Sequence, residues 1–301
     1  MKINFAKSKH AREGNHLFHF VNYIILTLMF LAVAYPIYFV LIASFSNPAL
    51  VGTGQVMFFP KGLTIEGYKT VFSDGTIMGG YKNSIIYTVT GVLFSVTTTV
   101  LAAYALSRRD LPGRKYMMMM IVFTMYFGGG MIPTYLLVRD LKMTNTMWAL
   151  IFPGLIVPYN LIVARTFFET SIPSELRESA QLDGCTEFQF FKDIAIPLSK
   201  AIIAIMVLFY GVAQWNTYFN AMIYIRDQGM YPLQLVLRNI LIENQVSQEL
   251  LGDTQQMALQ FERAGLIKYV SIVVSAAPLM VLYPFIQKYF VKGVLIGSVK
   301  G

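Results

Sequence analysis

Six stretches of this chain are each long and apolar enough to cross a lipid bilayer as a helix, and no other feature narrows the fold so sharply. A hydrocarbon core about 30 Å thick takes about 20 apolar residues of α-helix to cross. Phe20–Phe45, Ser84–Leu106, Tyr116–Val138, Met147–Phe168, Ala201–Ile225 and Tyr269–Phe290 all meet that requirement. The expected fold class is therefore an all-α polytopic membrane protein with six transmembrane helices. They form one membrane domain over residues 20–290, between tails at 1–19 and 291–301. The apolar core of the first block is too long for a cleaved signal peptide, so it is expected to remain as an anchor.

Composition agrees with lipid as the solvent. Only 13% of the residues are charged and 55% are hydrophobic, whereas a soluble domain carries about a quarter of its residues as charges. The net charge of +8 does not point to nucleic acid, because membrane proteins keep Lys and Arg in their cytoplasmic loops. The short segment Ser107–Lys115 holds four cations in nine residues, which predicts a cytoplasmic location for it and for both termini. The single Cys185 excludes an intrachain disulfide and an all-cysteine metal cluster. With these spans, the segments 46–83, 139–146 and 226–268 fall on the outer side. The first is turn-rich, with Pro48, Gly52, Gly54, Pro60 and Gly62, and the third is long, polar and helical in pattern.

What the chain lacks decides its energy source. Ionisable side chains at membrane depth mark proton and ion pathways, and no Asp, Glu or His lies mid-span; Arg165 sits near a span end, where it can snorkel to the interface. A proton-coupled carrier is disfavoured on that ground; sodium coupling through carbonyls and hydroxyls stays open. The dipeptide Gly-Lys is absent, so no Walker phosphate loop is available. All three histidines are in the N-terminal tail, and no constellation suggests catalysis or a metal site. No catalytic or metal-binding residue is assigned, and energy for active transport has to come from another polypeptide.

One inward segment differs from the rest. Residues 169–198 are acidic, with Glu169, Glu175, Glu178, Asp183, Glu187 and Asp193 against Arg177 and Lys192. Pro173, Ser174 and Glu175 suit a helix start, and Gly184 suits a stop that needs a positive φ. A second short helix is expected at about Thr186–Ile194. A short projecting helix of this kind fits a partner's groove; an amphipathic hairpin lying at the interface is the competing reading.

The run Glu178-Ser179-Ala180, three residues, Gly184, nine residues, Ile194-Ala195-Ile196-Pro197 resembles the EAA signature of bacterial binding-protein-dependent ABC importer permeases. It departs from the family pattern at Ser179 and Ile196, both mild changes in volume. "NSIIYTVTG" (Asn83–Gly91), "AAYALSRRDLPGR" (Ala102–Arg114), "WNTYF" (Trp215–Phe219) and the tail from Lys288 to Gly301 are similar to MalG-type sugar permeases. "FGGGMIPTYLL", "RTFFETSIPSELRESAQLDG" and "YPLQLVLR" resemble the LplC/YtcP-like branch for complex carbohydrates.

The resemblance implies a type I ABC importer permease fold and alternating access. It implies a second homologous permease, two ATPase domains that bind ATP and Mg, and an extracellular solute-binding protein. It places Glu178, Ala180 and Gly184 at the ATPase contact, within the motif that includes Ser179, and Leu182 and Asp183 beside them. No cofactor is expected on this chain itself. The same fold also carries other solutes, polyamines among them. A secondary carrier or membrane enzyme would need reactive groups at membrane depth that this chain lacks, and an exporter would usually carry its own ATPase domain or different coupling loops.

For a carbohydrate, planar hydrogen-bonding groups beside aromatic faces are the expected contacts. Gln214, Trp215, Asn216, Tyr218 and Asn220 bring that mixture to span five; the alternative is that they join helix to helix. Asn160 in span four, near Pro153 and Pro158, is a further pathway candidate or a packing residue. Gly128–Gly130 with Pro133 predicts either a bend or a tight crossing in span three. The segment 226–268 reads as a docking arm for the binding protein or as a cap over the outer mouth.

Overall fold

The computed structural model of the chain describes residues 10–250, 265, 267–284 and 287; it is helical, with no strand among the described residues. The first nine residues, 251–264, the end of the sixth expected span and the tail 291–301 lie outside the described residues. Three straight helices have the length and composition of a span: Phe18–Ser44, Gly75–Ser107 and Ile267–Pro284. Three bent helix pairs pass the same test jointly, so the described residues hold up to six crossings by length and composition.

The chain divides into two compact units. In the first, Met1–Thr70 with Gln248–Val273, helix α1 (His10–Ser44) carries span one. None of its residues from Phe18 to Leu41 is buried. Only its end packs: Ile42 and Ala43 form a small core with Val51 and Val56. Helix α2 (Pro48–Gly52) starts there because Asn47 caps it, its side-chain oxygen accepting from the Ala49 N–H at 2.9 Å. Helix α3 (Glu66–Ser73) follows.

The second unit, Val71–Ser247 with Val274–Gly301, is organised around α4 (Gly75–Ser107). This helix begins nine residues before the expected span start. Asp74 caps it, accepting from the N–H groups of Thr76 and Ile77 at 2.8 and 3.1 Å, and its 33 residues reach about 50 Å at 1.5 Å per residue. Small or β-branched residues at Val96, Val100 and Ala103 let α8 (Pro158–Ser171) and α12 (Lys200–Trp215) pack onto it, burying Leu161, Ala164, Phe168, Ile202 and Met206.

Span three is sharply broken. Helices α5 (Arg114–Tyr126) and α6 (Met131–Asp140) meet at 115°. Gly130 holds φ at +85°, a conformation open to glycine and strained for other residues, and a Cβ on Gly128 or Gly129 would touch nothing. The glycines therefore serve a bend, with no close crossing at this point among the described residues. The 13 residues of α5 reach only about 20 Å. Span four bends by 55° between α7 (Trp148–Ile151), which runs on through a 3-10 turn to Gly154, and α8. A 77° bend at Ser199 separates the helical stretch 187–198 from α12, which carries span five from Lys200. Short α13 (Phe219–Tyr224) continues it after a break at 216–218.

A buried hydroxyl ties three of these spans together. Proline at 158 starts α8 and leaves the Val157 N–H outside any helix; it donates to the Tyr210 hydroxyl at 3.1 Å. The same oxygen pairs with Thr99 Oγ1 of α4 at 2.7 Å. Tyr210 and Thr99 are 4% and 0% exposed. Tyr210→Phe strands both partners, at a cost of about 1–3 kcal/mol. Thermal unfolding of the purified protein in mild detergent should show a fall in midpoint of several degrees, with the protein still inserted in membranes.

Helix α14 (Leu233–Leu250) lies in the segment 226–268, and its start is locked to α4. The Leu233 N–H donates to Ser84 Oγ at 2.8 Å, Asn83 Nδ2 donates to the carbonyls of Gly229 and Tyr231 at 2.8 and 3.1 Å, and the Tyr87 hydroxyl donates to Met230 O at 3.0 Å. A Cβ on Gly80 would lie 3.0–3.3 Å from Val236 and Leu233, so glycine permits that approach. From the 139–146 segment, Asn145 Oδ1 accepts from the N–H groups of Arg226 and Asp227, both at 3.0 Å. The last described helix, α15 (Ile267–Pro284), carries span six.

Candidate functional site

The acidic segment 169–198 folds as a helical hairpin. Helix α9 (Ser174–Leu182) opens after Pro173 with Glu175 in its first turn, where a carboxylate complements the partial positive charge of the free N–H groups. Its end is a full Schellman turn. The Cys185 N–H donates to Ala180 O at 2.9 Å, the Gly184 N–H donates to Gln181 O at 3.0 Å, and Gly184 takes φ +80°. Thr186 and Gln189 then form a capping box for α10 (Glu187–Gln189), which runs on through a π-turn at Phe190–Ala195 into α11 (Ile196–Leu198). The second helical stretch thus runs past the expected Ile194 end and stops at the Ser199 bend. Gln181 Nε2 donates to Glu187 Oε1 at 2.8 Å and holds the two arms together.

The hairpin has two faces. Ala180, Phe190 and Ala195 are buried with Phe168 and Leu106 in the core of their unit. Glu178, Ser179, Leu182, Asp183 and Gly184 are all exposed, Leu182 at 89%, and Phe188 stands beside them at 72%. Of the six residues singled out by the motif, five are exposed; Ala180 is the exception, and its small side chain seats α9 against the core of its unit.

Two ionic clusters, which the motif does not reveal, brace the hairpin. In the turn after α4, Arg108 binds Asp110 in a two-pronged contact, Nε to Oδ1 at 3.1 Å and a terminal nitrogen to Oδ2 at 2.6 Å. Another guanidinium nitrogen of Arg108 pairs with Glu187 of α10. Arg177 of α9 reaches Asp110 from the other side at 3.2 Å. Hydrogen-bonded to Arg108, the Asp110 carboxyl is held below the usual carboxylate range. In the second cluster Glu169 bridges Arg114 at 2.7 Å and Arg165 at 2.6 Å. Both arginines also donate through Nε to the Leu106 carbonyl, at 2.8 and 3.3 Å. Arg165 is therefore paired at the end of its span rather than simply reaching for water. An open cavity of about 520 Å³ lies among Arg108, Asp110, Glu169, Arg177 and Glu178.

The polar residues of span five are split. Trp215 is 4% exposed, donates from Nε1 to Ser275 O at 2.9 Å and packs edge-on against Tyr81 at 5.6 Å. Gln214 lies over Gly91, where a Cβ would come within 3.0 Å, and its Nε2 reaches Leu150 O at 3.4 Å. Asn216 is exposed at the end of α12 and donates back to Val212 O at 2.8 Å; Tyr218 and Asn220 are exposed on and beside α13. Asn160 is buried in the first turn of α8.

Comparison with known proteins places this geometry. A family model described as "Binding-protein-dependent transport system inner membrane component" matches residues 75–296. The chain is similar to protein LplC of Bacillus subtilis, 41% identical over 292 residues that cover 97% of this chain and 98% of that one. It is similar, at 41% identity over 95% of this chain and 99% of the other, to the polygalacturonan/rhamnogalacturonan transport system permease protein YtcP of the same organism. Its fold matches a chain from the crystal structure of a bacterial ABC transporter involved in the import of the acidic polysaccharide alginate. There the TM-score is 0.81 at 31% identity, covering 96% of this chain and 100% of that chain.

Proposed function

The chain belongs to the family of binding-protein-dependent transport system inner membrane components, and from that membership we infer that it is the permease subunit of an ATP-driven importer for an oligosaccharide. It is not itself an enzyme. The observation that carries the cargo class is the 41% identity over nearly the whole length to a polygalacturonan/rhamnogalacturonan transport system permease protein, together with 31% identity to a chain of an ABC transporter involved in alginate import.

The exposed edge Glu178–Ser179 and Leu182–Gly184 is the surface that seats in an ATPase partner. Two large apolar side chains, Leu182 and Phe188, standing in water beside carboxylates support a protein groove over a bare aqueous surface. ATP and Mg bind on that partner. A second permease of the same fold completes the pore, and an extracellular binding protein delivers cargo at the side where α14 begins, with both termini in the cytoplasm. Asn216, Tyr218 and Asn220 are the residues placed to meet sugar hydroxyls and ring faces; Gln214, Trp215 and Asn160 hold the spans that present them. The clamp of Asn83, Ser84, Tyr87 and Asn145 on residues 226–233 gives the docking arm a fixed base.

Purification of the tagged chain from native membranes in mild detergent, with mass spectrometry of what it retains, tests the assignment. A second six-span permease and an ATPase are the expected companions, and a co-isolated binding protein would carry the cargo. A chain that purifies alone as a stable homo-oligomer, under conditions that keep such complexes intact, would return the secondary carrier to first place.

A further inference from the structure

Spans three, four and five are each broken, and the short helices on one side of those breaks, α6, α7 and α13, share a core distinct from that of α8 and α12. Val138 of α6, Ala149 and Leu150 of α7, and Ala221 and Tyr224 of α13 are buried together, with Tyr87 of α4 and Leu235 of α14. Tyr135 of α6 lies parallel to Tyr224 at 6.1 Å. Helices of 10, 4 and 6 residues do not hold their shape alone, so this packing is what makes the three one body.

A single residue of the turn between α6 and α7 ties that body to the start of the segment 226–268. Asn145 donates its N–H to the Tyr224 carbonyl at 2.8 Å, and its Oδ1 accepts from the N–H groups of Arg226 and Asp227, both at 3.0 Å. It thus meets three backbone groups at the point where α13 ends. The turn is bent to allow this: Asn145 holds φ +60° and Lys142 holds φ +56°, a left-handed conformation that asparagine tolerates better than lysine. Such residues persist only where their surroundings hold them, and they cluster at clamps and switch regions. Asn145, Arg226 and Asp227 are all exposed, so water would satisfy the two N–H groups without the side chain. What the side chain sets is therefore position, more than the rescue of buried polar groups.

The other side-chain bonds to this stretch come from Asn83, Ser84 and Tyr87 of α4. Helix α4 runs unbroken to Ser107, and Arg108 after it holds the hairpin. The base of the segment 226–268 therefore has two outlets, α4 toward the hairpin and Asn145 toward the broken spans. We propose that Asn145 is a positioning residue that makes α6, α7 and α13 move with the base of the segment 226–268, so that the binding protein docked on that segment sets the arrangement of the three broken spans. This rests on the docking reading given above and adds the route from docking to the pathway.

The test uses the whole assembly, as purified, in proteoliposomes with the co-purified binding protein and the sugar it carries. Asn145→Gly keeps the left-handed backbone and the N–H and removes the acceptor, whereas Asn145→Asp keeps an acceptor at the same place. Uptake per ATP hydrolysed, at saturating binding protein, should fall at least about fivefold in Asn145→Gly, the lower end of a typical coupling between sites. It should stay close to that of the unaltered protein in Asn145→Asp. A loss of structure alone would lower hydrolysis and uptake together and keep their ratio, and that result would overturn the proposal. An equal fall in both variants would overturn it too, because the acceptor would then not be what matters. An unaltered assembly whose hydrolysis ignores the binding protein would remove the docking reading itself, and this proposal with it.

Discussion

Gly184→Asp is expected to abolish uptake while leaving the protein in the membrane in normal amount. Gly184 closes the Schellman turn with φ +80°, and a non-glycine residue there costs about 1–2 kcal/mol, which a packed membrane protein can absorb. Space inside the molecule is not the obstacle, since a Cβ at 184 meets nothing within 4 Å. The damage therefore falls outside the chain: a charged branch and a second carboxylate beside Asp183, on the edge proposed to seat in an ATPase. Gly184→Ala separates the two effects, because it carries the backbone cost with little bulk and no charge; it should retain much of the uptake. Glu178→Lys should match Gly184→Asp, as Glu178 is exposed and makes no ion pair among the described residues. Uptake of the sugar held by the co-purified binding protein, and recovery of the ATPase on the tagged chain, should both fall at least about tenfold, equivalent to about 1.4 kcal/mol of lost association. Normal uptake by both variants would sink the coupling assignment.

The sequence carried the number of spans because hydrophobic length is a property of consecutive residues, and a bend at Gly128–Gly130 was one of the two readings its glycines offered. The hairpin at 174–198 was legible through its proline start, its glycine stop and its motif. Which side of a span faces inward was not. In lipid the buried and exposed faces are both apolar, so the contrast that sorts Leu from Lys on a soluble helix is missing, and Gln214, Trp215 and Asn216 looked alike. Only the fold shows Trp215 spent on the Ser275 carbonyl and Asn216 left open. Contacts between distant residues were hidden as well: nothing local to Tyr210 announces that the Val157 N–H, 53 residues away, needs its oxygen. The basic turn 107–115 and the acidic segment 169–198 were each visible, and their opposite charges could have suggested that they meet. The sequence read the first as a topology signal and the second as a docking surface, and left their pairing unasked.

That pairing leads to the other large effect expected, in Arg108→Glu. Arg108 caps the end of α4 and holds both arms of the hairpin, α10 directly through Glu187 and α9 through Asp110 and Arg177. A half-exposed ion pair contributes at most about 1 kcal/mol, so Arg108→Gln should lower stability only modestly. Reversal does more, because it sets a third carboxylate between Asp110 and Glu187, which Arg177 and Gln181 hold on their other sides. The hairpin should then separate from the end of α4 while its exposed edge keeps its own turn and cap. The ATPase should still be recovered with the complex, in contrast to Gly184→Asp, and should still hydrolyse ATP, yet uptake per ATP should fall at least about tenfold, the cost of about 1.4 kcal/mol in coupling. Measured side by side in proteoliposomes, retained hydrolysis with lost uptake would identify Arg108 as the residue that passes motion from hairpin to spans. Uptake equal to the unaltered protein would show that the core contacts of Ala180 and Phe190 carry that motion without it.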